Sequence, residues 1–190
     1  SGTEISYTFS ESLGGQYNIE LIADNGNAVA TDVANIAVLP ASPNIGWPTG
    51  NGQDGISYLS DSSVRLQLHA PGKAFVFAVG DFSNWELNYE YLMTQSPDGN
   101  KHWIEIEGLT AGSEYRFHYH IMPDDMRVAD PYSEKILDPW NDSWIPEETY
   151  PDLLGFPNML TENTPVSVLQ TGTSSFGWSD QDFSRPNRES

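Results

Sequence analysis

The chain lacks cysteine and carries few basic residues. None of its 190 residues is cysteine, and 8 lysines and arginines stand against 27 aspartates and glutamates, a formal net charge of −19 at pH 7. The absence of cysteine excludes disulfides, thiolate metal sites and a cysteine nucleophile. The excess of negative charge makes nucleic acid and anionic membrane surfaces unfavourable partners. A neutral polymer such as a glycan meets no such electrostatic penalty.

Long apolar runs are missing as well. No stretch approaches the roughly 18 apolar residues of a membrane span, so we predict that this segment does not insert into a membrane. The opening sequence Ser1-Gly2-Thr3-Glu4 lacks the basic and apolar character of a signal peptide. Hydrophobic residues still make up 38% of the chain and aromatic residues 12%, which is enough for a packed core.

Apolar and polar residues alternate over several short stretches, which is the pattern of strands with one buried face. Turn sequences rich in proline, glycine, asparagine and aspartate separate these stretches at intervals of about ten residues. The pattern predicts an all-β antiparallel sandwich. We expect its core to contain Val64, Leu66, Leu68, Phe75, Phe77, Val79, Ile104, Ile106, Tyr115, Phe117 and Tyr119.

Changes in composition divide the chain into four parts. We predict a few strands of a partial immunoglobulin-like domain, a proline-rich linker, the main sandwich and an extended segment, over residues 1–40, 41–48, 49–150 and 151–190. The strands expected outside the main sandwich cover residues 5–9, 17–23, 35–39 and 166–170. The first part has too few strands to enclose a core by itself.

Four motifs follow one another in the main sandwich: Gly80-Asp81-Phe82-Ser83-Asn84-Trp85, Trp103-Ile104-Glu105-Ile106, Tyr115-Arg116-Phe117 and Asp130-Pro131-Tyr132. In order and spacing they resemble the family-48 carbohydrate-binding module. That module is an E-set immunoglobulin-like domain placed before the catalytic barrel in many enzymes of the alpha-amylase superfamily, glycoside hydrolase family 13. Residues 129–142 and 150–171 are similar to segments of multidomain alpha-amylase-like proteins of Bacteroidetes.

The resemblance implies a non-catalytic region of an enzyme that degrades alpha-glucans such as starch or glycogen. Its partner would be the catalytic barrel of the same polypeptide, which in the similar proteins begins about where this chain ends. The expected role is to position that barrel and to contact the substrate. A genuine starch- or glycogen-binding module and a glycan-targeting adaptor are the alternatives. The resemblance also implies a bacterial protein at an extracellular, cell-surface or periplasmic location.

The resemblance implies a sugar site at three residues. Trp85 matches the tryptophan that stacks on a glucose ring in glycan-binding members, and Arg116 matches a basic residue that hydrogen-bonds the glucan. Trp103 is a third candidate platform. Met126 stands near the position where a second stacking tryptophan is usual. Packing is the alternative for both tryptophans: Trp85 at a domain interface and, as the favoured interpretation, Trp103 under a neighbouring loop.

Two further pairs of residues have alternative interpretations. Trp140 and Trp144 are expected to anchor the C-terminal segment onto the sandwich or the barrel, with sugar binding as the lesser alternative. His118 and His120 lie two residues apart and share one face of a strand, a spacing that zinc can use. An exposed polar face is the favoured interpretation of this pair, and we predict neither a metal nor another cofactor.

No catalytic constellation can be assembled from the sequence. A glycosidase needs two carboxylates about 5–10 Å apart across a cleft, and no two acidic residues are placed to converge from rigid elements. Nucleophile-elbow, phosphate-loop and zinc-protease motifs do not occur. We therefore predict no catalytic residues in this chain and assign the enzymatic activity to the remainder of the parent protein.

Overall fold

The computed structural model describes residues 15–38, 48, 52–158, 160 and 164–174. In chain order the strands are β1 (Gly15–Asp24), β2 (Val29–Val38), β3 (Gly55–Ser60), β4 (Ser63–His69), β5 (Phe75–Gly80), β6 (Thr94–Gln95), β7 (Lys101–Ile106), β8 (Glu114–Met122), β9 (Met126–Val128), β10 (Lys135–Leu137) and β11 (Val166–Gln170). Three short 3-10 helices cover Asp81–Ser83, Tyr89–Tyr91 and Asp142–Trp144. No helix within the described ranges is long and apolar enough to cross a membrane.

Strands β1 and β2 form a two-stranded antiparallel hairpin. Its turn is fixed by side chains, because Asp24 Oδ1 accepts the Gly26 N–H at 2.7 Å and Asn25 Oδ1 accepts the Ala28 N–H at 2.9 Å. Gly26 has φ 82°, a left-handed conformation that glycine adopts without steric cost. The strand predicted over residues 35–39 therefore starts earlier, at Val29, because it pairs with β1 along its full length. Residues 1–14 and 41–47, which include one predicted strand and most of the predicted linker, lie outside the described residues.

The other nine strands form two antiparallel sheets. One has the order β3-β4-β7-β6, and the other has the order β10-β11-β8-β5 with β9 paired to β8. A single cluster of buried residues draws on both sheets, so the sheets pack face to face. Its members include Val64, Leu66, Leu68, Val76, Ala78, Ile106, Phe117, Tyr119, Ile121 and Leu169. The prediction of an all-β antiparallel sandwich is confirmed.

Strand β5 is buried on both faces, and its core-facing residues are not the predicted ones. Val76 lies opposite Ile121 and Ala78 opposite Tyr119, and all four belong to the cluster between the sheets. Phe77 and Val79 are also buried but lie on the opposite face, because side chains alternate along a strand. The prediction had placed Phe75, Phe77 and Val79 on the core-facing side of β5, which is the wrong side. The predicted core residues Phe75, Ile104 and Tyr115 are only half-buried at the margin.

Strand β11 lies inside the sandwich. It pairs with β10 on one side and with β8 on the other, and its residues Val166 and Leu169 are fully buried. The sheet therefore continues well past the boundary predicted at residue 150. Hydrogen bonding explains this extension, since β8 would otherwise leave the N–H and C=O groups of residues 114–117 unpaired along this edge.

The Asp130-Pro131-Tyr132 motif ties the strands of the larger sheet together. The buried carboxylate of Asp130 accepts hydrogen bonds from the Tyr119 hydroxyl and the Tyr132 N–H, both at 2.7 Å. The Asp130 N–H donates to Ser167 Oγ at 2.7 Å. Burial raises the pKa of Asp130, against the effect of these hydrogen bonds. This motif therefore connects β8, the turn before β10 and β11.

Candidate functional site

The turn after β5 is built around a glycine and a strained tryptophan. A Cβ on Gly80 would collide with the Arg116 carbonyl oxygen and the Phe117 Cβ, so β5 can approach β8 here only without a side chain. The chain then forms the 3-10 helix at Asp81–Ser83 and reverses through Asn84 and Trp85, at φ 53° and 61°. A left-handed conformation costs a bulky residue about 1–3 kcal/mol, which neighbouring contacts must offset.

Asp81 supplies those contacts and connects the two predicted sugar-binding residues. Its carboxylate accepts the Trp85 indole N–H at 2.9 Å and the Arg116 Nε–H and Nη2–H at 3.0 and 2.9 Å. It also accepts the Arg116 backbone N–H at 2.8 Å. Burial alone would raise the pKa of Asp81, but the hydrogen bonds from Arg116 and Trp85 outweigh it and lower the pKa. The guanidinium and the indole N–H are thus engaged inside the protein.

The segment after β10 covers the outer face of the larger sheet beside Trp85. We call its described residues, 138–158 and 160, the covering segment. Leu137, Val166 and Val168 form a buried apolar cluster there, against which the chain packs Trp85, Leu153, Leu154, Phe156 and Leu160. Arg116 Nη1–H donates to the Gly155 carbonyl oxygen at 2.8 Å. We call the group Asp81, Trp85, Arg116 and Gly155 the clasp, because it joins the turn after β5, β8 and the covering segment.

The prediction of an exposed polar face at His118 and His120 is wrong. Only 2% of His118 and 4% of His120 is accessible. The His118 ring lies 5.5 Å from the Trp85 ring, and His120 Nε2 lies 2.6 Å from Asp125 Oδ1. Burial, reinforced by the charges of His120 and Arg127, lowers the pKa of His118 to about 4. No three metal-ligating side chains converge anywhere in the described part of the chain.

Trp103 lies on β7, which belongs to the other sheet, whereas Arg116 of the clasp lies on β8. Its side chain is 7% exposed, beneath the Arg65 guanidinium at 5.7 Å from the ring centroid. Arg65 is held by an ion pair with Glu105 at 2.6 Å. The structure therefore joins Trp85 and Arg116 through Asp81 but does not bring Trp103 to them. Met126, by contrast, is 43% exposed on β9.

A concave surface lies in the covering segment. A cleft of about 370 Å³ is bounded by residues between positions 138 and 156, including the carboxylates of Asp138, Asp142, Glu147 and Asp152. Its apolar lining includes Ile145, Tyr150, Leu153 and Phe156. We call this cavity the acidic cleft. Trp140 and Trp144, which adjoin its lining residues in sequence, are 53% and 82% exposed and so do not anchor this segment by burial.

Part of the chain is related to alpha-glucan enzymes. It is 38% identical over 72 residues to 1,4-alpha-glucan branching enzymes from two strains of Clostridium perfringens, SM101 and 13. The match covers 36% of this chain and 10% of each enzyme, so the chain spans about a tenth of the length of these relatives. The relationship fits a region of an alpha-amylase-family enzyme. No family model matches the chain.

Among solved structures, the chain is similar to an alpha amylase candidate from Salmonella typhimurium. The sequence identity is 27% and the TM-score 0.32, over 44% of this chain and 13% of the other.

Asp81 and the acidic cleft were missed from the sequence. A signal for Asp81 was present, because an acid four residues before Trp85 in a Gly-Asp-Phe turn can accept the indole N–H. The cleft had a weaker signal, namely the recurrence of aspartate and tryptophan in Asp138-Pro139-Trp140-Asn141-Asp142-Ser143-Trp144. Neither signal indicates which partner the side chains face, since that depends on contacts between distant segments.

Proposed function

We propose that the chain is a non-catalytic β-sandwich region of an alpha-glucan-degrading enzyme of the alpha-amylase family, and that it holds the catalytic domain in position. The observation that carries the proposal is the 38% identity over 72 residues with 1,4-alpha-glucan branching enzymes. On the family resemblance we place the parent protein outside the bacterial cytoplasm.

The clasp supports the positioning role. Arg116 binds Asp81 through two N–H groups and Gly155 through a third, so one guanidinium fixes the covering segment to β8. Such a bidentate pair adds geometric specificity as well as energy. Leu153, Leu154, Phe156 and Leu160 also pack on the sheet, so the part of the covering segment around Gly155 is held in place. A catalytic domain that follows β11 would be supported by this packing.

Two carboxylates whose pKa is shifted by partial burial and hydrogen bonding do not suit catalysis. Asp130 has a raised pKa, as a general acid requires, but it is only 2% exposed and bonded to Tyr119, which leaves no room for a sugar. Asp81 is neutralised by Arg116. These two environments favour a structural role for both side chains.

The proposal predicts that residues 1–190 alone release no reducing sugar from starch, pullulan or glycogen above a buffer blank. The full-length parent protein should act on alpha-glucan in the same assay. Release by residues 1–190 that disappears on changing a single Asp or Glu would contradict the non-catalytic assignment.

The positioning role has its own test in the full-length protein. Arg116→Met should lower the temperature at which glucan activity is lost, because it opens the clasp. Arg65→Met is the matched control, since its ion pair with Glu105 lies on the surface of the other sheet. Equal effects of the two substitutions would argue against a specific role for the clasp.

A second candidate function is glucan binding at Trp85 and Arg116. Trp103, the third residue expected at this site, lies on the other sheet and is not part of this surface. The observation that favours it is that Trp85 is half-buried rather than enclosed, so part of the indole faces solvent. Retardation of the chain in an amylopectin gel, lost in Trp85→Phe, would support this candidate. Retardation that persists in the variant would remove it.

A further inference from the structure

We propose that the acidic cleft, together with the adjoining Trp140 and Trp144, is a binding site for a neutral oligosaccharide. The cleft shares the Gly155 backbone with the clasp but is lined by neither Trp85 nor Arg116. The choice of an alpha-glucan as the expected ligand rests on the proposed function. The site itself is argued from the exposure, support and charge of this segment.

The first observation is the exposure of the two tryptophans. Tryptophan is among the most buried residues on average, and large exposed apolar side chains grouped on a surface mark interaction sites. Here Trp140 is 53% exposed and Trp144 82%, while Ile145 and Tyr150 on the cleft wall are 41% and 43% exposed. The segment thus presents several apolar side chains that the sandwich does not use.

The second observation is the rigid support of this surface. Asp138 Oδ1 accepts the Trp140 N–H at 2.8 Å, and Asp142 Oδ2 accepts the Asp138 N–H at 2.8 Å. The Trp144 N–H donates to the Asn141 carbonyl oxygen at 2.9 Å. A turn held in this way loses little conformational entropy on binding, and an indole adds a large contact area with few rotatable bonds.

The third observation is the charge of the cleft. Residues 138–156 contain no lysine, arginine or histidine. Two cations lie nearby, and both are paired. The Lys135 ammonium group lies 2.7 Å from Glu114 Oε1, and the Arg116 guanidinium, which donates to the carbonyl oxygen of the cleft-lining Gly155, is paired with Asp81. Ionised carboxylates only accept hydrogen bonds. The cleft therefore disfavours anions and suits a ligand that donates hydroxyl groups and has an apolar face.

A cationic protein would also be attracted to acidic residues, but the cleft favours a sugar. Three carboxylates already hold backbone N–H groups: Asp138, Asp142 and Glu147. Their remaining acceptor capacity suits hydroxyl donors. A concave cavity of about 370 Å³ also falls in the range of small-molecule sites, about 300–1,000 Å³. A chain of several sugar units would fill it and extend over the adjoining turn.

Titration calorimetry of residues 1–190 with maltoheptaose tests the site, using two variants and a control. Trp144→Ala removes an exposed ring. Gly155→Leu adds a side chain at a cleft-lining position where a Cβ has no neighbour within 4 Å, and it keeps the backbone carbonyl that accepts Arg116. Tyr132→Ala is the matched control, because Tyr132 is 61% exposed but does not line the cleft.

We expect a dissociation constant of about 1 mM for the unmodified chain, weakened about fivefold or more in Trp144→Ala and Gly155→Leu. Tyr132→Ala should bind as the unmodified chain does. All three variants should keep the melting temperature of the unmodified chain within about 2 °C.

Cellohexaose separates this inference from the proposed function. If cellohexaose binds with the same dependence on Trp144 and Gly155 and maltoheptaose does not, the site stands and the alpha-glucan assignment fails. If neither sugar binds at about 20 mM, well above the expected constant, the site is refuted while the positioning role is untouched. Salt-sensitive binding of oligolysine that Gly155→Leu abolishes, without sugar binding, would show a docking surface for a basic protein instead.

Discussion

The tryptophans of the sandwich are packed against other side chains, whereas those of the segment after β10 are exposed. Trp85 and Trp103 stand in the motifs that resemble a carbohydrate-binding module, yet one is tied to Asp81 and the other is 7% exposed beneath Arg65. Trp140 and Trp144 stand outside those four motifs, and both are more than half exposed. A motif therefore indicates where a ring sits in the chain, whereas its function depends on what covers it.

The tryptophans differ in burial because the turns that carry them lie differently relative to the sheets. The turn after β5 lies against a wide apolar face to which β10, β11 and the covering segment also contribute, so a ring placed there becomes packed. The Asp138-Asp142 turn is closed by local hydrogen bonds and needs no apolar support of its own. Its rings are left to solvent. The following predictions test this difference through the unfolding free energies of variants.

The largest effect is expected for Trp85. Replacing a packed tryptophan by alanine costs about 3–5 kcal/mol of unfolding free energy, and the partial exposure of Trp85 places it near the lower end. Trp85→Ala should therefore lower that free energy by about 3 kcal/mol in urea unfolding. A loss below about 0.5 kcal/mol, typical of a surface residue, would place Trp85 in the same class as Trp144 and remove the contrast.

A somewhat smaller effect is expected from acid, through His118. Its pKa is about 4 in the folded chain against 6.5 ordinarily, so between these values the unfolded chain binds more protons. The contribution of neutral His118 to the unfolding free energy should be fully present above pH 6.5. The unfolding free energy should then fall by about 2–3 kcal/mol as the pH drops towards 4.

His118→Leu should remove this part of the pH dependence, measured by urea unfolding at several pH values. The neighbouring charged groups His120, Asp125 and Arg127 remain in that variant, so the comparison isolates His118. His69→Leu is the control, because His69 is an exposed histidine on the other sheet. An identical profile for both variants would mean that protonation of His118 does not cause the loss of stability in acid.

The smallest effect is expected for Trp144. At 82% exposure its ring contributes little packing, so Trp144→Ala should change the unfolding free energy by less than about 0.5 kcal/mol. The same urea unfolding experiment as for Trp85→Ala provides the direct comparison. A loss above about 2 kcal/mol would show that the indole packs within the chain, which would remove the exposed surface on which the sugar site depends.

Much of the fold was predictable from the sequence because strand alternation reports burial directly. Val64, Leu66 and Ile106, predicted for the core from their spacing, are all within 3% of full burial. Strand β5 marks the limit of this reasoning. Both of its faces are apolar, so alternation gives no phase, and bulk favoured Phe77 where the sheet interface uses the smaller Val76 and Ala78.

The site was less predictable because its contacts join distant segments. Arg116 and Gly155 are 39 residues apart, and Arg116 and Asp81 are 35 apart. No local pattern reports such pairs. The histidines show the same limit. Polar residues alternating with apolar ones indicate a solvent-facing surface, but Trp85, from a distant part of the chain, packs against His118, and both His118 and His120 are buried.

The position of β11 also has a consequence for biosynthesis. Ten strands of the described structure precede residue 160, yet the strand that fills the gap between β8 and β10 is Val166–Gln170. A nascent chain that has left the ribosome only as far as residue 160 exposes two open edges facing one another. Unpaired edges invite association with other chains. The growing chain is thus most vulnerable to aggregation just before these five residues emerge, and a pause in translation shortly before they emerge should lower the yield of folded protein.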